Sequence, residues 1–314
     1  LKRLLATDPK GKSPLDPPKQ DKWSIGICFG HSPLYFDMPA NPKNPVLTDE
    51  DVSDVQAAYV ADPFMLRADH TWCMFMEVLN RQKGKGEIGL AISSDGLDWT
   101  YQGIVLTELF HLSYPYVFEW MGEYYMIPES HQTGSVRLYK ALRFPTKWQF
   151  VKSLIVGHGF ADSSIFQYDN RWWLLTETNP EFKFDTLRLY FSEDLTGSWL
   201  EHPQSPIIKG NAHIARPGGR VLVINERIIR YAQDCYPVYG TQVWAVEISK
   251  LTTESYEEHL ACENPILTPS GIGWNGAGMH HVDPHLMDDG SWIACVDGWC
   301  WIGAENRNTF QTKL

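Results

Sequence analysis

The stretch "ADPFMLRADHTWCMFMEV" (61–78) reads as a short strand, a polar turn, and a second strand rich in aromatic and sulfur side chains that reaches an acid, Glu77. Two later stretches, "YPYVFEWMGEYYMIPES" (114–130) and "ADSSIFQYDNRWWLLTET" (161–178), repeat that plan. Fifteen positions separate the opening residue from the closing acid in all three: Asp62 and Glu77, Tyr114 and Glu129, Asp162 and Glu177. "ARPGGRVLVINERIIRYAQD" (215–234) follows with two more residues between Arg216 and Gln233, and "VDPHLMDDGSWIACVDG" (282–298) with one fewer between Asp283 and Asp297. The second halves repeat too. "IGLAISSDGLDWTYQG" (88–103), "VRLYKALRFPTKWQFVKS" (136–153), "LRLYFSEDLTGSWLEHP" (187–203) and "VWAVEISKLTTESYEEH" (243–259) each read strand, polar turn, aromatic, strand, with Trp99, Trp148, Trp199 and Tyr256 as markers.

Units of four short strands repeating every 48–67 residues are the signature of propeller blades. Five such units and no segment of helical period predict an all-β, five-bladed β-propeller. The blades fall at about 57–106, 110–156, 160–209, 212–269 and 277–302. The fifth runs out of chain after Trp301, so "KWSIGICFG" (22–30) is expected to supply its missing outer strand and close the ring. A single domain over 22–314 follows, preceded by a Pro- and Lys-rich flexible lead-in over 1–21.

Composition narrows the function classes. Against 27 basic residues stand 38 acidic ones, a net charge of −11, which argues against a broad grip on nucleic acid or an anionic membrane. Forty-one aromatic residues suit β-sheet packing, and a few could stack on sugar rings. The six cysteines show neither CxxC pairs nor zinc spacing, and no apolar run approaches the roughly 18 residues of a membrane span. Thiols kept reduced in a cytoplasmic setting are the expectation, and no secretory h-region is visible. The sequence leaves the oligomeric state open.

In a propeller the inner strand of each blade lines the central channel, so Asp62, Tyr114, Asp162, Arg216 and Asp283 should meet at one mouth. The closing residues Glu77, Glu129, Glu177, Gln233 and Asp297 should form an outer ring. Crowded carboxylates push one another's pKa values apart, which is how one becomes acid and another base. Asp234, Tyr236, Tyr239 and Gln242, in "RYAQDCYPVYGTQ" (230–242), are further candidates for the same mouth. "MHHVDPH" (279–285) resembles a metal motif at first sight, but its place in the repeat makes it the fifth inner strand, with Asp283 the counterpart of Asp62.

"ADPFM" and "ADSSIF" resemble the two aspartate motifs of glycoside hydrolase family 43 propellers. That resemblance implies general base for Asp62 and, for Asp162, a residue that orients the acid and tunes its pKa. The family's general acid, a Glu at the start of blade four, is replaced here by Ala215-Arg216-Pro217, and Arg216 cannot donate a proton near neutral pH. Glu177, Glu129 and Asp234 stand as substitutes. Arg216 reads either as a counter-ion or as a fork for an anionic ligand group. The resemblance also points to His281 as the channel histidine, beside a structural calcium ion or water rather than a transition metal. Over nearly the whole chain, "HLSYPYVFEWMGEYYMIPES", "RYAQDCYPVYGTQV" and "MHHVDPH" resemble the N-terminal propeller domain of glucosamine inositolphosphorylceramide transferases. In those plant proteins glycosyl transfer is implied to belong to a separate C-terminal domain.

A small-molecule or glycan ligand is therefore expected, with no required cofactor. Catalytic roles fall on Asp62, Asp162 and Glu177, and binding roles on Tyr114, Glu129, Arg216, Asp234, Tyr236, His281 and Asp283. Three readings stand: an enzyme on glycans, a non-catalytic glycan-binding scaffold, and a repurposed pocket catalysing a reaction such as a cyclisation.

Overall fold

Trp72 to Val78 are all buried although they are consecutive in a strand, where alternate side chains point to opposite faces. Both faces must therefore be covered. A propeller does this by packing each sheet against two neighbours, and the apolar clusters lie between blades. Ile25, Ile27 and Ile293 from the blade-five sheet and Met65 and Met74 from the blade-one sheet share one of them.

The computed structural model describes residues 21–39, 43–262 and 264–301. Apart from Asp21, the lead-in expected at the N-terminus lies outside the described residues. Five sheets are present. Blade one comprises Ala57–Ala68, Thr71–Asn80, Lys85–Ser93 and Thr100–Leu106. Blade two comprises Ser113–Trp120, Glu123–Glu129, Ser135–Arg143 and Lys147–Val156. Blade three runs Ala161–Tyr168, Arg171–Glu177 and Thr186–Ser192, with its outer strand in two pieces, Leu200–Glu201 and Ile208–Lys209. Blade four has its inner strand in two pieces, Arg216–Pro217 and Leu222–Ile224, followed by Arg227–Gln233, Val243–Leu251 and Tyr256–Leu260.

Blade five is Val282–Leu286 and Trp292–Trp301, completed by the N-terminal Asp21–Ser32 and Tyr35–Asp37. The closing strand pairs without a break from Asp21 opposite Trp301 to Gly30 opposite Trp292. The N-terminal segment thus supplies two strands rather than the expected one. Three aromatic markers do the same job in successive blades: the indole N–H of Trp99, Trp148 and Trp199 donates to the carbonyls of Gly96, Pro145 and Leu195 at 3.0–3.1 Å.

Register explains the fifteen-residue spacing. The first three inner strands each carry a bulge, between Ala61 and Phe64, Ser113 and Tyr116, and Ala161 and Ser164. At each bulge a non-glycine residue is left-handed: Asp62 (φ 52°), Tyr114 (φ 43°) and Asp162 (φ 49°). Such backbone is strained by about 1–3 kcal/mol per residue and persists only where its surroundings fix it. Here each N–H donates to a carboxylate of the preceding blade: Asp62 to Asp297 (2.9 Å), Tyr114 to Asp62 (3.3 Å) and Asp162 to Glu129 (3.2 Å). Blade five pairs evenly from Val282 to Leu286, so its missing residue is the missing bulge. Asp283 pairs with Cys295, and the residue in blade one at that level is Phe64, not Asp62.

Near the axis Gly219 (φ 145°) lies against blade five, where an added Cβ would fall 1.8 Å from the Val282 carbonyl oxygen. Its N–H also donates to the Tyr114 hydroxyl at 2.7 Å. Gly219→Ala is expected to destabilise the ring by at least about 1–3 kcal/mol, read as a lower urea midpoint at unchanged slope.

Candidate functional site at the channel mouth

A pocket of about 140 Å³ opens at the mouth. Asp62, Glu77, Glu129, Arg216 and His280 line it, with Trp23, Tyr59 and Tyr239 as aromatic walls and His111 at one side. Trp23 arrives on the closing strand and lies against His280, ring centroids 4.1 Å apart. No periodicity could place it there, because it is brought from the far end of the chain.

Asp62 is 6% exposed. Its Oδ2 accepts the Tyr114 N–H, and its Oδ1 faces His280 Nε2 at 3.6 Å. His280 Nδ1 in turn lies 2.7 Å from Asp297 Oδ1. Burial pushes the Asp62 carboxyl up to about 7, His280 opposing the shift and Asp162 and Asp297 reinforcing it. Burial works against charge on His280 as well, but Asp297 and Asp62 outweigh it and raise its pKa. The ring is thereby pushed toward its protonated form between the two carboxyl groups.

Glu77 is 5% exposed, and its partners fix its geometry. The Gly86 N–H donates to His111 Nδ1 at 2.9 Å, so the remaining ring proton sits on Nε2, which lies 3.3 Å from Glu77 Oε1. The Tyr59 hydroxyl donates to the same oxygen at 3.3 Å. Both donors thus serve Oε1, leaving Oε2 as the oxygen to carry a proton. Burial, then the nearby charges of Asp62 and Glu129, raise Glu77 well above the carboxylate range. His111 is pushed down to about 4, by burial first and Lys85 second, and stays neutral. Glu77 belonged to the ring of closing acids in the sequence, but nothing there singled it out; the selecting features are the neighbours that the fold brings to it.

Arg216 is engaged on all sides. Its Nε donates to Asp162 Oδ2 at 2.6 Å and an NH₂ group reaches Glu129 Oε2 at 3.5 Å. Phe184 and Tyr239 cover its guanidinium, with ring centroids at 4.6 and 5.1 Å. Gln233 also donates to Asp162 Oδ2, at 2.6 Å. Arg216 is accordingly a counter-ion to two acids, and carboxylates beside it disfavour an anionic ligand. Asp162 sits behind this wall, pushed by burial up to about 7 against the pull of Arg216.

Other expected site residues lie elsewhere. Tyr114 contributes its N–H, but its fully buried ring turns inward, with its hydroxyl on Ser164 and Gly219. Glu177 caps the loop that follows it, accepting the Asn179 N–H at 2.6 Å. Asp234 is saturated by His213, the Tyr236 N–H, Gln242 and Trp244, all within 3.1 Å, which makes it the organiser of its own loop. Tyr236 is exposed beside His213.

Asp283 is fully buried and bound by Arg220 (2.6 Å), His285 (3.0 Å) and the Met65 N–H (2.7 Å). Its carboxyl is held below the usual range because Arg220 and His285 outweigh the burial that would raise it. Without the bulge, the histidine at the pocket is His280, and His281 turns to the channel interior against Phe64 and Tyr114.

Asp62, His280 and Asp297 are near enough to share a metal ion. Both oxygens of Asp297 already accept backbone N–H groups, from Asp62 and His280, and the two ring nitrogens of His280 already face Asp297 and Asp62, so the trio's ligand atoms are engaged with one another rather than arranged around a metal. The ring nitrogens of His281 have no hydrogen-bond partner among the described residues, and its aromatic surroundings lack the six to eight oxygens that calcium takes. The donor set there does not fit the expected calcium ion.

Glu77→Gln tests the buried acid. A folded-state pKa above the unfolded value gives stability that is present at low pH and lost as pH rises through the folded value. The variant should therefore gain thermal stability over wild type progressively from pH 5 to pH 9. A difference that is flat with pH would contradict the assignment.

Solved structures share this architecture. A thermostable family-43 glycoside hydrolase superposes with TM-score 0.57 at 15% identity, covering 82% of this chain and 91% of that one. A glycosyl hydrolase from Bacteroides ovatus gives TM-score 0.61 at 11% identity, covering 85% and 94%. At such identities the likeness shows the fold: a five-bladed propeller of the kind found in these hydrolases. Residues 16–299 match the family model described as "Glucosamine inositolphosphorylceramide transferase 1, N-terminal", and the chain belongs to that family. Proteins named glucosamine inositolphosphorylceramide transferase 1 are 36% identical in Oryza sativa subsp. japonica over 309 residues and 34% identical in Arabidopsis thaliana over 303. The matches take in 90% and 89% of this chain but only 40% and 39% of those relatives. Among the described residues no helix is long and apolar enough to cross a membrane.

Proposed function

We propose that this propeller is a carbohydrate-active domain whose channel mouth takes one sugar ring of a glycan and performs acid–base chemistry at its glycosidic bond. Asp62 is the base and Glu77 the proton donor. The observation that carries this reading is their presence in one aromatic-walled pocket, with Glu77 kept protonated and one Asp62 oxygen left to an ion contact alone. Asp62 takes the proton of an attacking hydroxyl, from water or from an acceptor. That oxygen bonds to the anomeric carbon, the glycosidic C–O bond breaks, and Glu77 passes its proton to the leaving oxygen. Hydrolysis and transfer differ only in which hydroxyl attacks. The pocket's 140 Å³ is below the roughly 300–1,000 Å³ of sites for larger ligands, which favours a single ring. Relatives named as a transferase and structural neighbours named as glycoside hydrolases support a carbohydrate ligand.

A second reading, a glycan-binding module without turnover, is favoured by Ala215 and Arg216 standing where the related hydrolases place their acid. The test is a screen of wild type and Asp62→Asn on aryl furanosides, aryl pyranosides and nucleotide sugars. Turnover lost in the variant supports the enzyme. Sugar binding without turnover in either protein would establish the binding module instead.

A further inference from the structure

A pocket sized for one ring leaves the rest of a glycan outside it, and the loop after Glu177 shows where the chain could run. Phe182 (φ 55°) and Phe184 (φ 53°) are both left-handed, a conformation that bulky side chains rarely adopt and that tends to persist at ligand clamps. The loop is pinned at its base. Glu177 accepts the Asn179 N–H, the Asn179 side chain donates to Asp185 at 2.6 Å, and the Glu181 N–H donates to Asn179 at 2.7 Å. Phe184 is thereby laid over Arg216, a wall of the pocket, and against Tyr239 at 5.5 Å. Two residues earlier, Phe182 is 36% exposed and lies against His131, centroids 5.2 Å apart and planes tilted by 38°. His131 stands two residues beyond Glu129, another wall. Gly159 makes room for it, since a Cβ there would fall 2.3 Å from His131 Nε2.

We propose that Phe182 and His131 form a second sugar subsite, an aromatic platform on which the ring next to the pocket-bound sugar stacks its C–H face. This rests on the reading of the pocket as a carbohydrate site. It also gives Glu177 a task, as the anchor that holds the platform loop.

The test compares methyl glycosides of arabinose, xylose, galactose and N-acetylglucosamine with the matching disaccharides, by tryptophan fluorescence titration and calorimetry. For the sugar that binds, wild type should hold the disaccharide about five- to ten-fold more tightly than the methyl glycoside, the size of one aromatic contact. Phe182→Ala should reduce that ratio to near one, and Gly159→Ala, which displaces His131, should reduce it part of the way. A ratio unchanged in both variants would overturn the platform and leave the pocket standing. If no sugar in the panel binds wild type, the carbohydrate reading and the platform fall together.

Discussion

Asp62→Asn is expected to lower turnover by about 10²- to 10⁴-fold, the range for loss of a positioned general base, with a much smaller change in sugar affinity. The amide keeps the shape and can still accept the Tyr114 N–H, so the left-handed turn at position 62 is retained. It cannot take a proton from the attacking hydroxyl. The pH profile supplies a second check. Because burial raises Asp62 to about 7, the base is ionised only above that pH and the rate should climb through it. The alkaline limb belongs to Glu77, which must keep its proton, so Glu77→Gln should remove that limb along with most of the activity. An acidic limb near the ordinary aspartate value of about 4 would assign the base elsewhere.

Arg220→Leu should be the most destabilising change. It removes the main partner of Asp283, a carboxylate with no exposed surface that ties blade four to blade five and, through the Met65 N–H, to blade one. Breaking a buried pair from one side leaves an uncompensated charge and costs about 3–5 kcal/mol, a large share of the roughly 5–15 kcal/mol that holds a domain folded. Adding Asp283→Leu should recover much of the loss, because the penalty lies in the orphaned charge. The sign with pH is opposite to that of Glu77. A depressed carboxyl contributes stability above its unfolded pKa of about 3.9 and loses it as pH falls. The gap between Arg220→Leu and wild type should therefore narrow below pH 4. Equilibrium urea unfolding at pH 7 and pH 3 decides it.

Much of the architecture was legible because a repeat makes the chain report its own fold. The three fifteen-residue spacings marked equivalent positions, but the bulges behind them, and the one that the shorter fifth unit lacks, appeared only in the register, and with them the true level of Asp283. Asp62, Glu129 and Arg216 were found because each sits at a repeat position beside the mouth. Tyr114, Glu177 and Asp234 were expected there too and serve as channel-interior packing, loop anchor and loop organiser instead. Equivalent positions share a backbone location but not a side-chain direction, and direction is set by the neighbouring blade.

The sequence alone determined the number of blades, the strand that closes the ring, and the family, since each is carried by periodicity and motif along a single chain. Tertiary structure alone decided which acids share the pocket and which of them are pushed toward keeping a proton. Glu77 is raised by Asp62 and Glu129 and positioned by His111, while Trp23 reaches the mouth from the far end of the chain. A pKa depends on burial and on charges across space, and neither quantity is written in the order of residues along the chain.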